Sequence, residues 1–148
     1  MAVLKAVLDT NVLIRLAFAQ RGIAKTLREL LAEEAFAIVT SADLLAEVYR
    51  VLHYPRIRQR FHPTEEDILE FLGILLERAV MTPGRYQVQK VKSDPTDDMF
   101  LAAALEGQAD YVVSRDPHLL NLKHFYAIQI VEAPAFLRAV HQQQKHKE

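Results

Sequence analysis

The chain has 148 residues, 51% hydrophobic and 25% charged, which suits one globular domain with a real core and leaves little room for a second. It contains no cysteine, which excludes disulfides and cysteine-ligated zinc or iron–sulfur sites. The formal net charge of −1 argues against a broad basic coat, so a nucleic-acid partner would be engaged through a local basic patch or through metal ions.

No segment approaches the roughly 18 apolar residues of a membrane span. The first apolar run is too short for a signal peptide and meets Asp9. A cytoplasmic protein with no membrane partner is the expectation.

That first run, Ala2 to Leu8, is nearly continuous in apolar residues and ends in Asp9, Thr10 and Asn11. Such a run reads as a buried parallel strand whose end emerges at the carboxyl edge of a sheet. Thr10 to Gln20 then shows helical spacing at Val12, Leu13, Leu16 and Ala17. Gly22 breaks it, and Ile23 to Glu34 forms a second amphipathic stretch. Phe36 to Val39 is a short strand, followed by Thr40 and Ser41, both good N-caps, with Asp43 as a capping-box partner for Thr40. A helix over 42–52 turns Leu44, Leu45, Val48, Val51 and Leu52 inward, and Tyr54-Pro55 ends it.

Arg56, Arg58 and Arg60 read as a loop. Thr64 and Asp67 predict a second capping box, opening a helix to about Val80 that Pro83-Gly84 closes. Residues 87–92 are a short extended piece. Asp94 as N-cap, Pro95 at the first helical position, and Asp97 and Asp98 at the positive dipole end start the next helix, which Gly107 stops. Residues 110–114 predict a strand, 115–120 a turn into a short helix, and 127–131 a last strand. Pro134 opens a terminal helix that runs into a polar, frayed tail over 141–148. The domain is therefore expected over 1–140. Helices alternating with short apolar strands imply an α/β fold around a mainly parallel sheet, with helices on both faces.

Topology then collects the acids. In βαβ units each helix starts at the carboxyl edge of the preceding strand. Asp9 and Asp116 follow strand ends, and Asp94, Asp97 and Asp98 lie in the first turn of a helix that begins at the same edge. Glu47 sits about five residues into its helix, roughly 8 Å from that edge at 1.5 Å per residue. Each acid has a plainer reading: Asp9, Asp94 and Asp116 are natural N-caps, and Glu47 is a solvated helix residue. Together at one rim they would repel unless a cation neutralised them. Oxygen ligands without histidine or cysteine select Mg²⁺ or Mn²⁺, and such a site supports hydrolysis of a phosphodiester.

Four ordered segments carry a family resemblance: 7–13 (VLDTNVL), 44–48 (LLAEV), 94–104 (DPTDDMFLAAA) and 109–116 (ADYVVSRD). They resemble the motifs of the PIN domain family, most of all its bacterial toxin subgroup, over residues 3 to about 132. The resemblance implies a single-domain three-layer α/β/α fold. It assigns the four acids to Asp9, Glu47, Asp98 and Asp116, and the supporting polar positions to Asn11 and Ser114. The third acid is chosen by spacing, with Asp97 and Asp94 as alternatives. The implied activity is Mg²⁺- or Mn²⁺-dependent endoribonuclease, with RNA as substrate. The implied partners are an antitoxin, in a type II toxin–antitoxin pair, and a second copy in a homodimer.

Arg115, beside Asp116, is well placed to meet a phosphate. Arg50, Arg56, Arg58 and Arg60, interleaved with Tyr49, Tyr54 and Phe61, are either RNA contacts or a solvated loop with its aromatics in the core. The apolar helices between Ile23 and Leu76 offer a face for dimerisation or for an antitoxin segment. The alternative function is a catalytically silent PIN-like module that binds RNA or protein. A phosphoryl-transfer protein with Asp after its first strand is disfavoured, because Asn11 stands where one such family has a second Asp and no lysine follows the late strand as another requires.

Overall fold

The computed structural model describes residues 3–90 and 95–146. The expected cap at Asp94 and the end of the extended 87–92 piece lie outside those residues.

Six strands form one sheet: β1 (Leu4–Leu8), β2 (Phe36–Ser41), β3 (Val80–Thr82), β4 (Tyr111–Val113), β5 (His124–Phe125) and β6 (Ile128–Val131). Their order is β3-β2-β1-β4-β6-β5, parallel throughout except that β5 runs antiparallel to β6. Eight helices cover it among the described residues: α1 (Thr10–Phe18), α2 (Ile23–Ala32), α3 (Ala42–Leu52), α4 (Pro55–Phe61), α5 (Glu65–Arg78), α6 (Pro95–Glu106), α7 (Pro117–Leu120) and α8 (Ala133–His146). The domain is a three-layer α/β/α sandwich.

The strand period divides the core. Ala6 and Leu8 of β1 point into one layer with Leu13 and Leu16 of α1, Leu27 of α2, Val48 of α3 and Phe136 of α8. Val7 points the other way, with Val39, Val112 and the Phe100, Leu101 and Ala104 face of α6. Both faces are buried, which is why the strands read as continuous apolar runs rather than alternating ones. Gly107 lets α6 end tight against the sheet: a Cβ there would stand 2.4 Å from Val39 Cγ1.

From β1 the chain winds outward through β2 to β3, then returns to the other side of β1 with β4. The sheet therefore reverses between β1 and β4. Leu8 is in register with Val113, so Asp9 and Ser114 are the next residues on two adjacent strands at that reversal. In open α/β sheets this crevice is where ligands bind.

Several local expectations change. Tyr54-Pro55 does not lead into a loop: Pro55 occupies the first turn of α4, where its missing N–H costs nothing, and the arginine run is helical. Residues 80–82, expected as the end of a helix, form β3, which pairs with the end of β2 (Thr40↔Met81). That pairing holds Thr40 in the ladder, so of the two candidate caps Ser41 takes the role, its Oγ accepting the Leu44 N–H, and the Thr40–Asp43 capping box does not form. The Thr64–Asp67 box does form, opening α5. The last helix continues to His146 through the expected tail, and the Leu4 N–H donates to Gln143 Oε1 at 3.3 Å.

Candidate active site

Asp9 continues the β1 ladder, its N–H donating to the Val113 carbonyl at 3.0 Å, before the chain turns into α1. The capping reading and the site reading both hold, one on each oxygen. Oδ1 accepts the Val12 N–H at 2.9 Å and caps α1, while Oδ2 accepts the Ser114 hydroxyl and, at 3.3 Å, the Arg115 N–H. The side chain is only 7% exposed. Burial pushes the Asp9 carboxyl above its ordinary value; hydrogen bonds from Ser114, Val12 and Arg115 pull it back, and the Asp116 charge raises it again.

Ser114 is fully buried and joins two acids. Its hydroxyl donates to Asp9 and accepts the Asp116 N–H at 2.9 Å. Asp116 in turn caps α7, Oδ1 accepting the His118 N–H at 2.8 Å. Asp9, Ser114 and Asp116 thus form one connected unit across the β1/β4 crevice.

Glu47, half-buried on α3, reaches the residue beside Asp9. Its Oε2 accepts the Thr10 hydroxyl at 2.5 Å, and its Oε1 pairs with Arg50 Nη2 at 3.3 Å. On α6, Asp97 is buried on the sheet-facing side with Phe100, Leu101 and Ala104. Asp98 is half-buried at the rim, its Oδ1 accepting the Lys90 N–H at 2.9 Å. Asn11 is exposed on the first turn of α1, and the Arg115 side chain is exposed beside the crevice. Among the described residues no three Asp, Glu, His or Cys side chains are grouped closely enough to hold a metal ion. Direct contacts unite Asp9, Ser114 and Asp116; Glu47 adjoins them through Thr10; Asp98 does not complete a three-carboxylate cluster with them.

The donor chemistry fits a hard cation. Mg²⁺ is commonly held by one or two carboxylates, with waters and substrate phosphates completing its shell. Asp9 and Asp116 would supply such a pair, the Ser114 hydroxyl meeting the Asp9 carboxylate on one side and the Asp116 backbone N–H on the other. Asp9, whose charged form burial disfavours, is the group a bound cation would return to that form.

Two residues of this region escaped the sequence reading. Thr10 was visible as a hydroxyl after Asp9, but nothing in the spacing linked it to Glu47. Arg15 sits on the half-buried side of α1, where burial lowers its guanidinium from the usual value and the Arg115 and Arg60 charges push the same way. The arginine run of α4 is itself divided. The Arg60 charge acts on Arg15, whereas that of Arg58 acts on the cluster in which His53 Nε2 meets Glu65 Oε2 at 2.9 Å and Tyr49 donates to Glu65 Oε1 at 3.0 Å.

No match was found among curated proteins. Among solved structures, the chain is similar to VapBC2 from Rickettsia felis, described as bound to a DNA fragment from their promoter. The identity is 16%, with a TM-score of 0.54, over 86% of this chain and 97% of that one. At that identity the likeness speaks for the fold. The family model described as PIN domain matches residues 5–118, from β1 to the start of α7, a span that includes Asp9, Glu47, Asp98, Ser114 and Asp116. The chain belongs to the PIN domain family.

Proposed function

We propose that the protein is a Mg²⁺- or Mn²⁺-dependent endoribonuclease, the toxin of a type II toxin–antitoxin pair. The observation that carries this is the Asp9–Ser114–Asp116 unit at the strand-order reversal, an acid pair held in the crevice where this fold class binds ligands. The ion would be held by Asp9 and Asp116, with Glu47 and Asp98 as the further acids of the site. When bound, it supplies Lewis-acid activation of a water and of a phosphate oxygen.

The chain's own residues do the rest. Ser114 fixes the orientation of the Asp9 carboxylate and of the Asp116 backbone. Thr10 and Arg50 hold Glu47 beside the crevice, where its carboxylate can orient the attacking water. Asn11 opens on the same rim and Arg115 offers a guanidinium to the substrate phosphate. The likeness to VapBC2 supports the toxin reading and, with it, a cytoplasmic protein with an antitoxin partner. Exposed Leu69 and Leu76, seven residues apart on one side of α5, support an apolar face for a second copy or for that antitoxin.

The test is cleavage of structured and unstructured RNA with Mn²⁺, for the native protein and for Asp9→Asn and Asp98→Asn. Cleavage should require the metal and vanish in both variants while their folds persist. Persistence of cleavage in excess EDTA would exclude the mechanism. Native protein that binds RNA but cleaves none with either metal would favour the silent binding module.

A further inference from the structure

Three arginines from three separate segments converge beside the crevice. Arg115 follows β4, and its own N–H is bonded to Asp9 Oδ2. Arg15 lies six residues beyond Asp9 on α1, about 9 Å along the axis at 1.5 Å per residue. Arg60 is brought in by ring packing: Phe61 of α4 meets Phe18 of α1 at 6.4 Å between centroids, and Phe18 is one helical turn past Arg15. Arg60 Cζ lies 5.2 Å from the Phe61 ring centroid, so the guanidinium stands on an aromatic face. All three are near enough for Arg15 to feel both other charges. Among the described residues none of the three pairs with a carboxylate, although Arg50 and His53 nearby both do.

Like charges gathered without counter-charges cost folding energy, and three helix and loop segments contribute to this one grouping. We propose that Arg15, Arg60 and Arg115 form a clamp for the backbone of single-stranded RNA, holding consecutive phosphates beside Asp9 and Asp116. This rests on the nuclease reading for the choice of polymer. A guanidinium fork also fits a carboxylate peptide. RNA is favoured because the clamp adjoins acids that fit a phosphate-binding cation, and because its charges come from three elements rather than lining one pocket.

The test is salt-dependent binding of a labelled, mixed-sequence single-stranded RNA to the full chain in EDTA. Fluorescence anisotropy is measured between about 50 and 200 mM salt, and RNA integrity is checked on a gel. Each phosphate contact on single-stranded nucleic acid contributes about 0.7 to the slope of log affinity against log salt. Arg15→Gln, Arg60→Gln and Arg115→Gln should each flatten the slope by about 0.7, and the triple variant by about 2. Arg15→Lys, which keeps the charge, should restore the slope. Arg58→Gln, on the other side of α4, should leave it unchanged.

Unaltered slopes in Arg15→Gln and Arg60→Gln overturn the clamp, as does failure of the native protein to bind the RNA at low salt. Arginine-dependent binding of a polyglutamate peptide without RNA binding also overturns it. Parallel cleavage with Mn²⁺ separates the two ideas. Cleavage with unaltered slopes sinks the clamp and spares the nuclease; flattened slopes without cleavage do the reverse.

Discussion

Replacing Ser114 by alanine tests how the buried hydroxyl governs the candidate site. The side chain has no exposure, so the loss is not repaired freely by solvent. Two hydrogen bonds disappear: the one donated to Asp9 Oδ2 and the one accepted from the Asp116 N–H. Asp9 Oδ2 keeps the Arg115 N–H at 3.3 Å. Leaving a buried polar group without its partner costs about 1–3 kcal/mol, and a middle value of about 2 kcal/mol fits because half-buried Asp116 can recruit water. For a chain of this size that lowers Tm by about 4–8 °C.

The variant also removes the largest influence that offsets the burial of Asp9, so its carboxyl should hold a proton to higher pH. Cation binding, which needs the charged form, should then shift its pH midpoint upward and weaken about 10–100-fold at fixed pH, as when an outer partner of a metal ligand is lost. Thermal melts and calorimetric Mn²⁺ titrations at several pH values measure both. Native Tm together with native Mn²⁺ affinity in Ser114→Ala would refute the role given to this hydroxyl.

Asp9→Asn should alter the pH dependence of stability in the metal-free protein. Because the folded-state value of Asp9 is raised, its protonated form contributes stability below the ordinary 3.8 that is lost as pH rises through the folded value. The variant should therefore gain on the native protein as pH rises across that window; a constant difference in Tm would contradict this. Gly107→Ala should destabilise although it removes unfolded-state freedom: overpacking costs about 1–3 kcal/mol against a gain of about 0.4–1. A denaturant midpoint at or above native would show that Val39 yields. His53 is raised by Glu65 and by the Tyr49 carbonyl, and Glu65 is lowered chiefly by His53. The His53 contribution is full below 6.5 and fades above its folded value; that of Glu65 is full above 4.5 and fades below its own. The Tm loss in His53→Asn should be largest between those values, and a loss independent of pH would be the wrong outcome.

Chain order and fold class were legible because doubly buried strands leave continuous apolar runs at 4–8, 36–39 and 111–113, separated by helical periods. β3 and β5 were not, since two or three residues show no period and their pairing depends on a distant strand. The choice between Thr40 and Ser41 as the cap of α3 was hidden for the same reason: Thr40 is held by its pairing with Met81, far along the chain. Pro55 was read as a stop because a proline ends one helix as readily as it opens the next.

At the site, the positions of Asp9 and Asp116 were legible as strand ends, whereas Ser114 came only from the family resemblance. The choice between Asp97 and Asp98 was obscured by the nearly unbroken apolar run after them; the structure separates them by burial, Asp97 facing the sheet and Asp98 meeting Lys90 at the rim. Arg15 carried no local signal. Its significance arises only when α1, α4 and the β4 end are brought together.

Whether Asp9 and Asp116 hold a divalent cation decides the proposed chemistry. Calorimetric titration of Mn²⁺ into the native chain and into Asp9→Asn and Asp116→Asn, with circular dichroism to verify each fold, addresses that directly. Saturable binding in the native chain and its loss in both folded variants is the predicted result. Equal binding in all three proteins, or none in the native chain at millimolar metal, would contradict it.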